Sequence, residues 1–275
     1  MASSPSAVLE IATRSDPGRV RPHNEDSVLA NPDIGLVVLA DGMGGYSAGE
    51  VASSMATSLL GRGMAAAFAE RRPDAKVADG QSWARAALAR EIGRVNVAIH
   101  EASGDQPQYS GMGTTLVAAI LYDHRVTVAH VGDSRLYRLR SGSLEPLTRD
   151  HSLLQEQLDA GIITSEQASG SANRNLLTRA LGVDPEVEAD IQDHEARAGD
   201  FYLLCSDGLT DMLDNERIAA TVLEFGGDLD GCVARLVDLA NENGGRDNVS
   251  VALVKVVQMF PTRRPWWVRL RKWFR

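Results

Sequence analysis

Residues Gly35–Gly45 read GLVVLADGMGG. The run Gly35–Ala40 is continuously apolar and stops at Asp41-Gly42, the pattern of a buried strand running into a turn. Upstream, Ala7–Thr13 and Ser27–Ala30 are short apolar stretches of strand type. Downstream, Ser47–Glu70 carries Val51, Met55, Leu59 and Leu60 at helical spacing. Ser82–Glu101 repeats that period through Trp83, Ala87, Leu88, Ile92, Val95 and Ile99. Two long helices in succession are therefore expected. Thr114–Tyr122, Arg125–Val131 and Ser134–Leu139 then read as a meander of short strands separated by Asp-His and Gly-Asp turns. His151–Ala160, Ile218–Leu223 and Leu229–Asn241 read as helices. Phe201–Cys205 and Val249–Val257 read as strands, and Thr164–Asn175 as a polar, mobile excursion. Strands grouped around helix pairs indicate an α+β fold with a largely antiparallel sheet system, not a βαβ alternation. No repeat, linker or composition break precedes residue 258. The chain thus reads as one domain, 7–257, followed by a tail, 258–275.

Of the 275 residues, 44% are apolar and 24% charged, an ordinary globular composition. Cys205 and Cys232 stand far apart and outside any CxxC, which excludes a disulfide framework or zinc ribbon and fits a reducing compartment. No apolar run approaches the ~20 residues of a membrane-spanning helix. The N-terminus has no basic stretch followed by an apolar core, so no secretory signal is read. Thr262–Arg275 holds six positive charges and no negative ones, so the net −9 of the chain becomes −15 on the body once the tail is set aside. An acidic body argues against nucleic acid as substrate. It is suited to divalent cations wherever its carboxylates converge.

The positions of the acids suggest such convergence. Asp41, Asp133 and Asp207 follow the strand runs GLVVLA, VTVAHVG and FYLLCS. Glu25 and Asp26 precede SVLA, and Asp247 precedes NVSVALVKV. In antiparallel sheets the start of one strand lies beside the end of its neighbour, so the two sets can share one edge. Carboxylates so gathered repel one another unless cations lie between them, and oxygen-only ligation favours magnesium or manganese. The six histidines show no HExxH or other zinc spacing. The glycines of Asp41–Gly45 permit close backbone approach, and a carbonyl there can serve as a ligand. Two divalent ions about 3.5–4 Å apart can activate a water for in-line attack on phosphorus. Arg21, four residues before Glu25, is placed to hold the non-reacting phosphate oxygens in its planar fork. A GxSxG elbow and a cysteine phosphatase loop are absent. Gly111–Thr115 (GMGTT) is not a Walker A sequence and reads as close packing beside the site.

These segments together resemble the metal-dependent protein phosphatase 2C family of Ser/Thr phosphatases, in its bacterial form. The matching stretches, in family order, are RPHNED (Arg21–Asp26), VVLADGMGG (Val37–Gly45), SGMGTT (Ser110–Thr115), HVGDSRLY (His130–Tyr137), LTRDHS (Leu147–Ser152), NLLTRALG (Asn175–Gly182), CSDGLTD (Cys205–Asp211) and GGRDNVSV (Gly244–Val251). The resemblance implies a four-layer α-β-β-α sandwich, two antiparallel sheets flanked by helix pairs, with two metals at one end. By the same resemblance Asp41 bridges both metals, the Gly42 carbonyl binds the second, and Asp207 and Asp247 bind the first. Glu25 and Asp26 orient metal-bound water, and Arg21 clamps the phosphate. Asp133 with Asp207 holds a third, weaker metal, and Asp211 hydrogen-bonds behind the ligands. Thr164–Asn175 corresponds to the family's flap, and Asn175 is placed to touch the third metal. Many eukaryotic members have a histidine, proposed as general acid, where this chain has Met43. Methionine cannot donate a proton, so a metal-bound water is the expected donor here, with His23 from another loop as the alternative.

The expected function is hydrolysis of phosphoserine and phosphothreonine in proteins, dependent on Mn2+ or Mg2+, opposing a bacterial Ser/Thr kinase. The rival readings are a pseudophosphatase that binds phosphoproteins without turnover and a membrane-recruited scaffold. The scaffold reading draws on the tail. On a helical wheel of Arg264–Arg275, Trp266, Trp267, Leu270, Trp273 and Phe274 fall within about a third of the circle, opposite Arg269, Arg271, Lys272 and Arg275. That is the pattern of an interfacial helix for anionic lipid. Docking on a partner protein or on the acidic body is the alternative. The expected location is the cytoplasm, with the tail allowing peripheral contact at the inner face of the membrane.

Overall fold

The computed structural model describes residues 8–45, 47–164, 167 and 176–258. The strands are β1 (Leu9–Asp16), β2 (Asp26–Asn31), β3 (Leu36–Met43), β4 (Gly113–Thr114), β5 (Leu116–Tyr122), β6 (Arg125–Val131), β7 (Arg135–Arg140), β8 (Ser143–Pro146), β9 (Asp190–Glu195), β10 (Phe201–Cys205) and β11 (Val249–Val256). The helices are α1 (Ala48–Glu70), α2 (Trp83–Asp105), α3 (Leu153–Asp159), the single turn α4 (Asp207–Thr210), α5 (Asn215–Phe225) and α6 (Leu229–Glu242). One sheet runs β1-β11-β10-β7-β8 and the other β2-β3-β5-β6-β9, with β4 pairing β3. Neighbouring strands pair antiparallel throughout.

The alternation of side chains along each strand produces the layers. On β3, Leu36, Val38 and Ala40 belong to the cluster that α1 and α2 cover, whereas Val37 and Leu39 face the core between the sheets. On β10, Leu203 and Cys205 pack under α5 and α6, whereas Tyr202 and Leu204 enter the central core. On β11, Val249, Val251 and Leu253 alternate in the same way with Ala252, Val254 and Val256. The result is the expected four-layer α-β-β-α sandwich. A strand buried on both faces needs a continuous apolar run, which explains GLVVLA. Each such Val or Leu contributes about 1.5–3 kcal/mol by leaving water.

The long helices follow their sequence signals, with one difference. Ser82 caps α2 by accepting the Arg85 N–H at 3.2 Å, and Asp214 caps α5 by accepting the Arg217 N–H at 2.7 Å. On α1 the most buried stripe is Ala48, Ala52, Ala56, Leu60, Met64 and Ala67. Val51, Met55 and Leu59, expected to form the core face, sit partly buried at its margin. Small residues lie on the inner side because α1 packs close to β2 and β3; a Cβ on Gly61, for instance, would lie 3.0 Å from the Leu29 side chain.

Two further differences concern the strands. The chain does not turn at Asp41-Gly42: β3 continues to Met43, because Gly42 and Met43 pair with Thr114 and Gly113. The expected single strand Thr114–Tyr122 is correspondingly divided into β4 and β5. β8 and β9 were not anticipated. Of the expected excursion, Thr164 and Gln167 are described and 165–166 and 168–175, Asn175 included, lie outside the described residues, as does the tail 259–275. Among the described residues no helix is long and apolar enough to cross a membrane.

Candidate metal centre

The register of the sheets brings the acids to one end of the sandwich. Asp26 at the start of β2 and Asp41 near the end of β3 are direct cross-strand partners. The Gly42 N–H donates to the Glu25 carbonyl at 3.1 Å, which holds Glu25 beside this pair. The N-terminus of α1 closes over them. A Cβ on Gly42 would collide with the Gly49 carbonyl oxygen, and one on Gly49 would lie 2.8 Å from Glu25 Oε1. Two glycines are needed for that approach.

The second sheet supplies the remaining acids by the same logic. Cys205 ends β10 and is partnered by Arg135 of β7 and Val251 of β11. Asp207 follows it, Asp133 precedes the one partner and Asp247 the other, so the three meet at one edge. Ser206 joins the sheets: its hydroxyl donates to Asp26 Oδ2 at 2.8 Å, and its N–H to the Ser250 carbonyl at 3.1 Å. Gly208 lies so close to Asn248 that a Cβ would collide with the Asn248 carbonyl oxygen.

Asp41 is held by its backbone. Its N–H donates to Thr115 Oγ1 at 3.0 Å, and its carbonyl accepts from Thr115 N and Thr114 Oγ1, both at 2.8 Å. Thr115 Oγ1 also bonds Ser134 Oγ at 2.7 Å, the residue next to Asp133. The GMGTT stretch therefore does more than pack closely. Its hydroxyls set Asp41 in position relative to Asp133.

The electrostatics follow from burial. Burial, then the carboxylates of Asp26, Asp207, Asp133 and Asp247, push the Asp41 carboxyl well above the ordinary aspartate range. Burial and Asp133 do the same for Asp207. Burial raises Asp26 and Asp133 to about 6 each. Glu25 is raised by burial and partly restrained by Arg21. Three buried oxygens of this group, Glu25 Oε1, Asp26 Oδ1 and Asp207 Oδ1, have no hydrogen-bond partner among the described residues. Unpaired buried carboxylate oxygens are costly and call for a cation. The donors are all oxygens, so the residues present fit magnesium or manganese.

Arg21 is exposed at the rim and donates to Asp247 Oδ2 at 2.7 Å, which raises its own pKa further. Asp211 is exposed one helical turn beyond Asp207, with its N–H on the Asp207 carbonyl at 2.8 Å, and its charge reaches both Asp133 and Asp207. Met43 pairs with Gly113 on the strand that carries Asp41. His23 is exposed on the Arg21 loop.

A second group, His130, His151 and Asp190, was not anticipated as a unit; its ligand atoms lie within 4.8 Å of one another. The imidazoles stack at 4.6 Å, and burial lowers both pKa values, which keeps the rings neutral. His130 Nε2 bonds the Arg149 carbonyl at 2.7 Å, and His151 Nδ1 accepts the Gly132 N–H at 3.2 Å. Arg179 stands 3.2 Å from Asp190 Oδ1 and 3.4 Å from His151 Nε2. The chain's own cation thus occupies this group, which anchors the loop before Asp133. Thr115, Ser134, Ser206 and Asn248, which hold the acidic cluster, were likewise missed. Ser134, Ser206 and Asn248 had one visible signal, their place next to Asp133, Asp207 and Asp247, whereas Thr115 adjoins none of these acids in sequence.

A family model described as Protein phosphatase 2C matches residues 21–254. The chain is 41% identical to the serine/threonine phosphatase Stp of Listeria welshimeri over 245 residues, 88% of this chain and 94% of that protein. It is 42% identical to the serine/threonine protein phosphatase PstP of Mycobacterium tuberculosis over 252 residues, 91% of this chain but 45% of that longer protein. The crystal structure of the M. tuberculosis phosphatase PstP/Ppp superposes with a TM-score of 0.81 at 40% identity, covering 90% of this chain and 99% of that one. A structure of the PstP catalytic domain in complex with two manganese ions gives a TM-score of 0.76 at 41% identity, covering 91% and 99%. Matched along nearly all of its body in sequence and in fold, the chain belongs to the protein phosphatase 2C family.

Proposed function

We infer that this chain is a metal-dependent phosphatase that removes phosphate from serine and threonine side chains of proteins. One observation carries the reading. Glu25 Oε1, Asp26 Oδ1 and Asp207 Oδ1 are buried, without a hydrogen-bond partner among the described residues, and share the field of one group of acids. The pseudophosphatase alternative would lose such acids, and every one expected is present. Two manganese or magnesium ions would be held by Asp41, the Gly42 carbonyl, Asp207 and Asp247, and a third, weaker one by Asp133 with Asp207. The relative with two bound manganese ions supports that choice of metal. When bound, such ions act as Lewis acids that neutralise phosphate charge and lower the pKa of water.

The chain's own residues do the rest. The carboxylate oxygens of Glu25 and Asp26 would accept hydrogen bonds from the attacking water and orient it. Arg21 turns its exposed fork to the non-reacting phosphate oxygens and so fixes the ester for in-line displacement. Met43 has no proton to give, so the departing serine or threonine oxygen would take its proton from a water held at the metal site. Asp211 adds negative charge behind Asp133 and Asp207 and favours cation retention.

The substrates would be targets of a Ser/Thr kinase, and the kinase itself. The buried thiols Cys205 and Cys232 support a reducing, cytoplasmic setting. The aromatic and basic tail would add contact with an anionic membrane face. The test is phosphate release from a phosphothreonine peptide with manganese, magnesium or EDTA, using the wild type and the Asp41→Ala and Asp207→Ala variants. Metal-dependent release abolished in both variants is expected. No release with either metal from folded protein that binds the peptide overturns the reading.

A further inference from the structure

The loop Pro17–Glu25 carries Arg21 and Glu25, yet it buries little: Pro17, Arg19, Val20, Arg21, Pro22 and His23 are exposed. An exposed loop keeps its shape only through hydrogen bonds that fix its backbone. Asn248 supplies three of them. It is 5% exposed. Its Nδ2 donates to the Pro17 carbonyl at 3.0 Å and the His23 carbonyl at 2.9 Å, and its Oδ1 accepts the Glu25 N–H at 2.8 Å. One side chain thus grips the start, the end and the base of a loop more than 220 residues away in sequence. The two donors leave no amide hydrogen unpaired, and no shorter side chain spans the three points.

Asn248 also faces the metal-side acids. Its backbone N–H donates to Asp247 Oδ1 at 2.9 Å, while Asp247 Oδ2 accepts from Arg21. Its carbonyl meets Gly208, beside Asp207, and Gly18 of the loop packs against the Asp247 carbonyl. The dipeptide Asp247-Asn248 therefore holds the Arg21 guanidinium by a carboxylate and the backbone on either side of Arg21, at Pro17, His23 and Glu25, by an amide.

We propose that Asn248 is a positioning residue for phosphate recognition: it sets the height of the Arg21–Glu25 loop above the acidic cluster. This rests on the phosphatase reading given above. Asn248→Ala removes all three bonds. Asn248→Asp keeps the shape and the acceptor for Glu25 N–H but loses both donors, and serves if the alanine variant does not fold. Two readouts on the full chain test the proposal. The first, independent of turnover, is amide hydrogen exchange: protection of the Gly18, Arg19 and Glu25 amides should fall at least tenfold in Asn248→Ala, and that of Gly18 and Arg19 in Asn248→Asp, which keeps the Glu25 acceptor, with the β5 and β10 amides unchanged. The second is steady-state hydrolysis of a phosphothreonine peptide. KM should rise about tenfold with a smaller loss in kcat, and Asn248→Ala should add less than twofold in an Arg21→Ala background. Unchanged exchange in the loop overturns the proposal, as does a full additive loss in the double variant. An inactive wild type with the exchange change present removes the phosphatase reading and leaves Asn248 as the loop's anchor.

Discussion

Asp26 and Asp41 sit directly opposite each other across the β2–β3 ladder. Like charges so placed oppose sheet formation. Both carboxyls are pushed up by burial, Asp26 to about 6 from 3.8. A carboxyl raised in the folded state binds its proton more tightly there than in the unfolded chain. Its contribution to stability is full below about pH 4 and is lost as pH rises through 6. In EDTA, this cluster should therefore make the protein less stable at pH 7 than at pH 5. Saturating manganese at pH 7 should recover about 3 kcal/mol at a hundredfold excess over Kd, a rise of roughly 5–10 °C in Tm. Thermal melts at both pH values, with and without metal, check this. A manganese-induced rise no smaller at pH 5 than at pH 7 contradicts it.

Asp207 has an unpaired buried oxygen and repulsive neighbours in Asp133 and Asp247. Replacing it by asparagine removes a charge while keeping the shape. Asp207→Asn should melt at a higher temperature than the wild type in EDTA. With manganese it should lose roughly 100- to 1,000-fold in kcat/KM, equivalent to several kcal/mol of transition-state charge stabilisation. Lower stability in EDTA would show that the acid is held by contacts other than those described.

Arg21 combines an exposed fork with a single ion pair to Asp247. Its arginine geometry matters more than its charge if two phosphate oxygens are held at once. Arg21→Ala should raise KM for a phosphothreonine peptide about tenfold or more, and Arg21→Lys should recover only part of that loss. Because the pair is solvent-exposed, Tm should change little in either variant. Equal activity of the lysine variant and the wild type would exclude bidentate clamping.

Thr115 is buried and its hydroxyl serves both the Asp41 N–H and Ser134. Thr115→Val conserves volume but leaves those groups unpaired. The expected cost is about 1–3 kcal/mol of stability. Denaturant titration measures it, and a loss in manganese affinity should accompany it, because Asp41 is no longer held relative to Asp133. Neutral stability would mean that the GMGTT segment only packs.

Local pattern made much of this protein legible. The run GLVVLA stands out because β3 is buried on both faces, and α2 stands out because its apolar stripe repeats with helical period. β9 has the sequence DIQDHE and lies at a sheet edge, where Gln192, Asp193 and Glu195 meet water, so no apolar alternation announces it. β8 is four residues long and ends in proline. The continuation of β3 through Asp41 and Gly42 depends on Gly113 and Thr114, some seventy residues away, and a local Asp-Gly reads only as a turn.

The same division runs through the site. Asp41, Asp133, Asp207 and Asp247 could be found from sequence because they fall at strand ends, which local hydrophobicity marks. Glu25 and Asp26 stand out in the same way, just before SVLA, and Arg21 by its spacing four residues before Glu25. What tertiary structure alone decided is the register: Asp26 against Asp41, and Cys205 against Arg135 and Val251. It also chose the residues that hold that register, Thr115, Ser206 and Asn248. Hydrogen bonds between segments 74 to 231 residues apart leave no periodic trace in either segment, so the acids could be named from the chain but their supports could not.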